Sequence, residues 1–197
     1  MPLSEPKAVS FLKKRPMKHE DFTNMSYPKI KILTAISACL FFFATGSMAV
    51  HWSEGDRLPN LEEFVLDGAI PDLEGKVVLV DFWASWCTPC KASFPALDEI
   101  EATYRDQGLV ILGINVDTDS KAFEKFMKRM KPGFSVVRDS RQEVVADAGV
   151  ETMPSSFLVG RDGVIRSVHS GYHGRKTRDQ YIGEIELLLA EPDGGEG

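Results

Sequence analysis

The chain has 197 residues, 43% hydrophobic and 26% charged, enough for one soluble domain with extensions and a core of normal size. Its three cysteines are too few for a disulfide scaffold, so any disulfide is expected to serve chemistry rather than stability. Residues 1–49 carry seven Lys/Arg and three acids, which leaves 16 bases against 26 acids in residues 50–197, an acidic body that argues against nucleic-acid binding.

In chain order, the first feature is Ile32–Ala49, 18 residues without a charged side chain, preceded by Lys29 and Lys31 and closed by Ser47-Met48-Ala49. A basic flank, an apolar middle and a small-x-small exit predict a secretory signal cleaved after Ala49. Met25 offers a second start that would give this signal an ordinary length. The same run, residues 32–49, is also at the edge of what spans a bilayer and could remain as a membrane anchor. A lipid attachment at Cys39, in Ile36-Ser37-Ala38-Cys39, is a third reading, although the apolar run continues beyond it. Each reading places residues 50–190 as a domain outside the cytoplasm, periplasmic or otherwise, with residues 191–197 as a loose Gly-rich tail.

Residues 51–60 read as a loop, Leu61–Leu66 as a short strand and Asp72–Lys76 as a turn. Val77–Trp83 is an apolar, Val-rich run interrupted only by Asp81, which predicts a buried central strand. Pro89–Tyr104 has helical spacing, with Phe94, Leu97, Ile100 and Tyr104 on one side. A second buried strand is expected over Leu109–Val116. An amphipathic helix over Ser120–Met130 follows, with Phe123, Phe126, Met127 and Met130 inward and Lys131-Pro132-Gly133 as its stop. Phe134–Arg138 is a short strand and Gln142–Ala148 a short helix ended by Gly149. Phe157–Val159 and Val164–His169 flank Gly160-Arg161-Asp162-Gly163 as a hairpin, and Thr177–Ala190 is the last helix. Strands alternating with helices, then a closing hairpin and helix, predict an α/β layered fold.

The chemical centre is Trp86-Cys87-Thr88-Pro89-Cys90, which follows the central strand and opens a helix. At a helix N-terminus, unpaired N–H groups and the dipole favour a thiolate, which is the nucleophile of disulfide exchange. Two intervening residues place Cys90 one turn in, behind Cys87, and Pro89 falls in the first turn, where its missing N–H costs little. Half a zinc site is an alternative reading of Cys-x-x-Cys, with His169 and His173 as the other half across 78 residues. A purely structural disulfide is another, weakened by the short loop it would close. Asp81 is the one charge in a buried strand. Burial should raise its pKa unless local hydrogen bonds or Lys76 satisfy it.

Val80-Asp81-Phe82-Trp83-Ala84-Ser85-Trp86-Cys87-Thr88-Pro89-Cys90 resembles the active-site segment of thioredoxins. Leu73–Val80, Phe94-Pro95-Ala96-Leu97 and Gly113-Ile114-Asn115-Val116-Asp117 with its added helix resemble the exported TlpA/ResA-like branch, over about residues 55–190. The resemblance implies a thioredoxin-like central mixed sheet flanked by helices, with a strand–helix insertion after the active-site helix. It implies a thiol–disulfide oxidoreductase in which Cys87 attacks, Cys90 resolves and Asp81 accepts the Cys90 proton. It also implies a cis bond before Pro154, with the Met153 backbone pairing with the extended substrate by strand addition and Trp86, Thr88, Pro89 and Pro154 completing the substrate-binding surface. Ser93 stands where branch members serving cytochrome c maturation often carry an acid, which weakens that assignment. Pro89 rather than histidine before the second cysteine implies a reductant, with a potential nearer about −270 mV than about −120 mV.

The implied partners are protein disulfides and a membrane or exported thiol–disulfide electron donor. No nucleic acid and no cofactor are expected, since no nicotinamide or flavin motif is present. Two rival functions are open: a thiol peroxidase, which needs a Pro-x-x-x-Thr/Ser-x-x-Cys loop that is absent, and a metal-binding or copper-delivery factor using the same cysteine pair.

Overall fold

The computed structural model describes residues 51–192. The apolar run at 32–49, Cys39 and the end of the tail lie outside the described residues. The chain order is β1 (Val77–Trp83), α1 (Thr88–Tyr104), β2 (Leu109–Asn115), α2 (Ser120–Met130), β3 (Ser135–Arg138), α3 (Glu143–Asp147), β4 (Ser155–Val159), β5 (Ile165–Ser170) and α4 (Arg175–Leu189). Each was expected from the sequence to within two residues at either end.

The strands form one five-stranded sheet in the order β3-β2-β1-β4-β5. β1 pairs parallel with β2, and β2 pairs parallel with β3. β4 runs antiparallel to both β1 and β5, so the sheet is mixed. All seven residues of β1 are buried, which is why its sequence reads as a continuous apolar run. Alternation sends Asp81 and Trp83 to one face and Phe82 to the other. Trp83 packs edge-on against Phe94 of α1 (ring centroids 4.9 Å apart) and lies tilted against Phe126 of α2 (4.6 Å). Phe82 meets Phe157 (5.8 Å) and Trp52 (5.6 Å). Gly113 of β2 sits where a Cβ would come to 3.0 Å from both the Phe134 ring and the Trp83 indole nitrogen, so the close packing of these rings on the sheet favours glycine there.

One expectation is corrected. Residues 61–66 do not form a strand. Asn60 caps a single 3-10 turn over Leu61–Glu63 by accepting the Glu62 N–H (3.1 Å), and Leu61 alone is buried. Residues 51–60 form a loop, as expected, and the loop contributes one side chain to the core. Trp52 is a core residue, and its indole N–H donates to Asp147 Oδ2 (2.9 Å) while its backbone N–H bonds Ala148 O (3.3 Å). The Trp52 ring packs edge-on against both Phe82 and Phe157 on this face of the sheet.

Candidate functional site

β1 ends at Trp83, and the chain turns through Ala84, Ser85 and Trp86 before α1 begins. Cys87 N–H bonds Ala84 O (3.1 Å), which closes the turn. Asp117, buried at the end of β2, accepts the Ser85 N–H with both oxygens (3.2 and 3.0 Å) and holds the turn from the side. Asn115 Nδ2 in turn donates to Asp117 Oδ2 (3.0 Å). The Asn-x-Asp of this segment is therefore a brace for the turn, a role that spacing alone did not reveal.

Cys87 is the N-cap residue of α1, with extended backbone, and its sulfur accepts the Cys90 N–H (3.2 Å). One of the helix's orphan donors is thus aimed at this sulfur, the arrangement that favours negative charge there. Pro89 occupies the first turn, where no hydrogen bond is lost. Cys87 and Cys90 are joined in a disulfide, with Cα atoms 5.3 Å apart. Cys90 is fully buried and Cys87 nearly so, while Trp86 is 69% exposed and Thr88 and Pro89 are exposed beside it. Ser93 turns its hydroxyl back onto Cys90 O (2.8 Å) and supplies no acid to the site.

The Met153–Pro154 bond is cis, and Pro154 is buried. β4 begins at Ser155, opposite Phe82 near the end of β1, so this loop and the cysteine turn emerge from the same end of the sheet. Pro154 O accepts the Gly171 N–H (2.7 Å). Among the described residues no hydrogen bond engages the Met153 backbone.

Asp81 is 1% exposed, and its cross-strand neighbour on β4 is Ser156. Ser156 Oγ donates to Asp81 Oδ1 (2.6 Å) and also lies 2.7 Å from the Tyr181 hydroxyl of α4. Asp81 Oδ2 is buried with no hydrogen-bond partner among the described residues. Burial pushes the Asp81 carboxyl up to about 7, against the pull of the Ser156 hydrogen bond. Burial, and then the Asp81 charge, push the Tyr181 phenol far above its usual value, so it stays protonated. Lys76 is not the partner that the sequence left open. Ser156 and Tyr181 are site residues that sequence reasoning missed. Their signal was faint: two serines opening an apolar strand, and a tyrosine on the Thr177, Tyr181, Ile185 face of α4.

His169 Nε2 lies 2.8 Å from Glu184 Oε2, and its ring packs edge-on to Tyr181. Among the described residues no group of three or more His, Cys, Asp or Glu side chains is placed to hold a metal ion. No helix among them is long and apolar enough to cross a membrane.

Residues 55–168 match the family model described as AhpC/TSA. The chain is 34% identical over 140 residues to the thiol-disulfide oxidoreductase ResA of Bacillus subtilis, covering 68% of this chain and 76% of that protein. The ResA of Geobacillus thermodenitrificans is 31% identical over 149 residues, covering 74% and 83%. Among solved structures, a thiol:disulfide interchange protein DsbE from Chlorobium tepidum superposes with a TM-score of 0.65 at 31% identity, over 71% of this chain and 99% of that one. The thioredoxin domain of an oxidoreductase from Bacteroides vulgatus shares the fold alone, at 21% identity and a TM-score of 0.56 over 68% and 98%.

Proposed function

Because the chain belongs to the AhpC/TSA family, and within it is a thiol–disulfide oxidoreductase of the ResA and DsbE type, we propose that it is an exported reductant of protein disulfides that works through Cys87 and Cys90. The observation that carries this reading is the Cys87 sulfur at the mouth of α1, capped by the Cys90 N–H and bonded to the Cys90 sulfur.

In the dithiol form, the Cys87 thiolate attacks a partner disulfide. The partner S–S bond breaks, a mixed disulfide forms on Cys87 and one partner sulfur leaves as thiolate. Cys90 gives its proton to the Asp81 carboxylate, directly or through water, and its thiolate then attacks the Cys87 sulfur. The second partner sulfur departs and the Cys87–Cys90 bond closes. The partner gains two electrons and this chain loses two. A carboxyl with a pKa of about 7 suits this proton transfer near neutral pH. The disulfide form is the product of this half-cycle, and a membrane or exported dithiol donor reverses it.

Trp86, Thr88 and Pro89 form the exposed rim against which the partner lies, and the free backbone of Met153 before Pro154 pairs with its extended chain. The reducing direction rests on Pro89 before Cys90. Residues 32–49 deliver or anchor the domain 50–190 outside the cytoplasm, in the periplasm or its equivalent. Ser93 in the first turns of α1 speaks against a dedicated cytochrome c role.

The test is insulin-disulfide reduction together with partner trapping. Cys87→Ser should abolish turnover, and Cys90→Ser should accumulate mixed disulfides visible on non-reducing gels. Retained turnover in the first variant removes Cys87 as nucleophile. Redox-buffer titration should give a potential near about −270 mV, and a value above about −150 mV would overturn the reducing direction. A reporter active only outside the cytoplasm, fused after residue 49, checks export.

A further inference from the structure

Among the described helices of the acidic body, α2 alone carries a net positive charge, and it lies beside the redox turn. Between Ser120 and Lys131 the chain carries Lys121, Lys125, Lys128, Arg129 and Lys131 against the single acid Glu124, whereas the rest of residues 50–197 holds 11 bases against 25 acids. All five cations are exposed. Lys121, Lys125 and Arg129 fall at successive i, i+4 positions, a row of like charges that weakens the helix rather than supporting it.

Charges of opposite sign on a domain surface commonly pair, and five arginines elsewhere on this one do. Arg105, Arg138, Arg141, Arg166 and Arg178 each bind a carboxylate. None of the five cations around α2, nor Lys91 beside Cys90, has an ion-pair partner among the described residues, and Arg129 instead stacks over the Phe126 ring at 5.7 Å. The neighbouring acids are otherwise engaged. Asp119 caps α2 through the Lys121 N–H, Asp98 accepts the Gly133 N–H, and Asp117 is buried behind Ser85.

The position of this helix is fixed by the redox segment itself, because Phe126 packs on Trp83, four residues before Cys87. Between the two elements lies a shallow cleft of about 200 Å³, lined by Ser85, Lys91, Ala122, Lys125, Phe126 and Arg129. It has an apolar floor, three cations on its walls and the cysteine turn at its edge.

Resting on the thiol–disulfide reading above, we propose that this cleft and the basic row of α2 receive an acidic segment of the partner protein flanking its disulfide. Unpaired cations beside an exposed Trp86 attract and orient such a segment, while the acidic remainder of the surface repels it from other faces. Recognition of this kind acts mainly on the rate of encounter and is screened by salt.

The experiment uses three synthetic peptide disulfides of equal length, flanked by Asp/Glu, by Asn/Gln or by Lys. Each is mixed with the dithiol form of the wild type and of Lys125→Gln/Arg129→Gln. At low ionic strength the acidic peptide should be reduced about tenfold faster than the neutral one, and the basic peptide slowest. At 1 M salt, where screening acts within about 3 Å, the three rates should converge. The double variant should lose the ordering while reducing the neutral peptide at the wild-type rate. Equal rates for all three peptides in the wild type, or an ordering that survives in the variant, overturns the proposal. So does binding to anionic phosphatidylglycerol vesicles that the variant loses while peptide rates show no ordering, which assigns the patch to lipid. Failure of the wild type to reduce even the neutral peptide removes the redox reading and this one with it.

Discussion

Asp81 in the middle of β1 and Asp139 at the turn from β3 into α3 are the same residue type, both shielded from solvent, yet Asp81 lies deeper and the two are differently satisfied. Asp139 is fully buried, and its two oxygens accept the Glu143 and Val145 N–H groups, each at 2.9 Å. Burial lifts its pKa, but the backbone N–H groups of Val145, Glu143 and Val144 pull against that lift. Asp81 has one hydroxyl on one oxygen and nothing on the other. A buried carboxylate that caps backbone donors holds the chain together. One left half-satisfied holds a proton instead, because desolvation of the charge is not repaid by hydrogen bonds. Burial alone therefore does not separate the two acids, and the unpartnered oxygen does.

The sharpest way to break this contrast is Asp81→Asn. Loss of the proton acceptor should slow resolution of the mixed disulfide about a hundredfold near neutral pH and flatten the pH–rate profile. An unchanged profile in single-turnover kinetics would remove Asp81 from the reaction. The same variant reports on stability. Between the ordinary carboxylate value near 4 and about 7, the folded disulfide form holds a proton that the unfolded chain has released. Wild-type stability should therefore fall as pH rises through this window, by a few kcal/mol in all. The Asn variant should lack this fall and exceed the wild type above pH 7 in urea unfolding.

Asp139→Ala should do the opposite. Removing the carboxylate strands the donors at the start of α3 and should cost about 2–3 kcal/mol in the same urea experiment. Disulfide exchange by the folded fraction should be unchanged, and a rate loss there would erase the distinction between the two acids. A smaller effect is expected from Ser156→Ala. It removes the hydrogen bond that favours the Asp81 anion, so the pH–rate midpoint should rise by about half a unit to one unit. Tyr181→Phe leaves that bond in place and should move the midpoint least. A larger shift for the tyrosine variant than for the serine variant would mean that the phenol, not the serine, sets the carboxyl.

Much of the fold was legible because local patterns here agree with the tertiary outcome. β1 is buried on both faces, so its apolar run needed no alternation to be read as a strand. Asp119 before α2, and Lys131 in left-handed backbone (φ 48°) after it, mark the bounds that the sequence suggested. The turn at Leu61–Glu63 misled because four apolar residues in six look the same in a strand and in a capped turn followed by extended chain. The burial of Trp52 was not legible, because loop composition says nothing about where one aromatic ring is buried.

The sequence by itself determined the cysteine spacing, the strand before it, the helix after it and the charge of α2, since each depends on residues close together along the chain. Only the tertiary structure decided that Ser156 lies across from Asp81, that Tyr181 reaches the same hydroxyl, and that Asp117 braces the redox turn. Those contacts join residues 75, 25 and 32 positions apart. Strand register and helix docking set them, and both follow from how the whole core packs rather than from any local pattern.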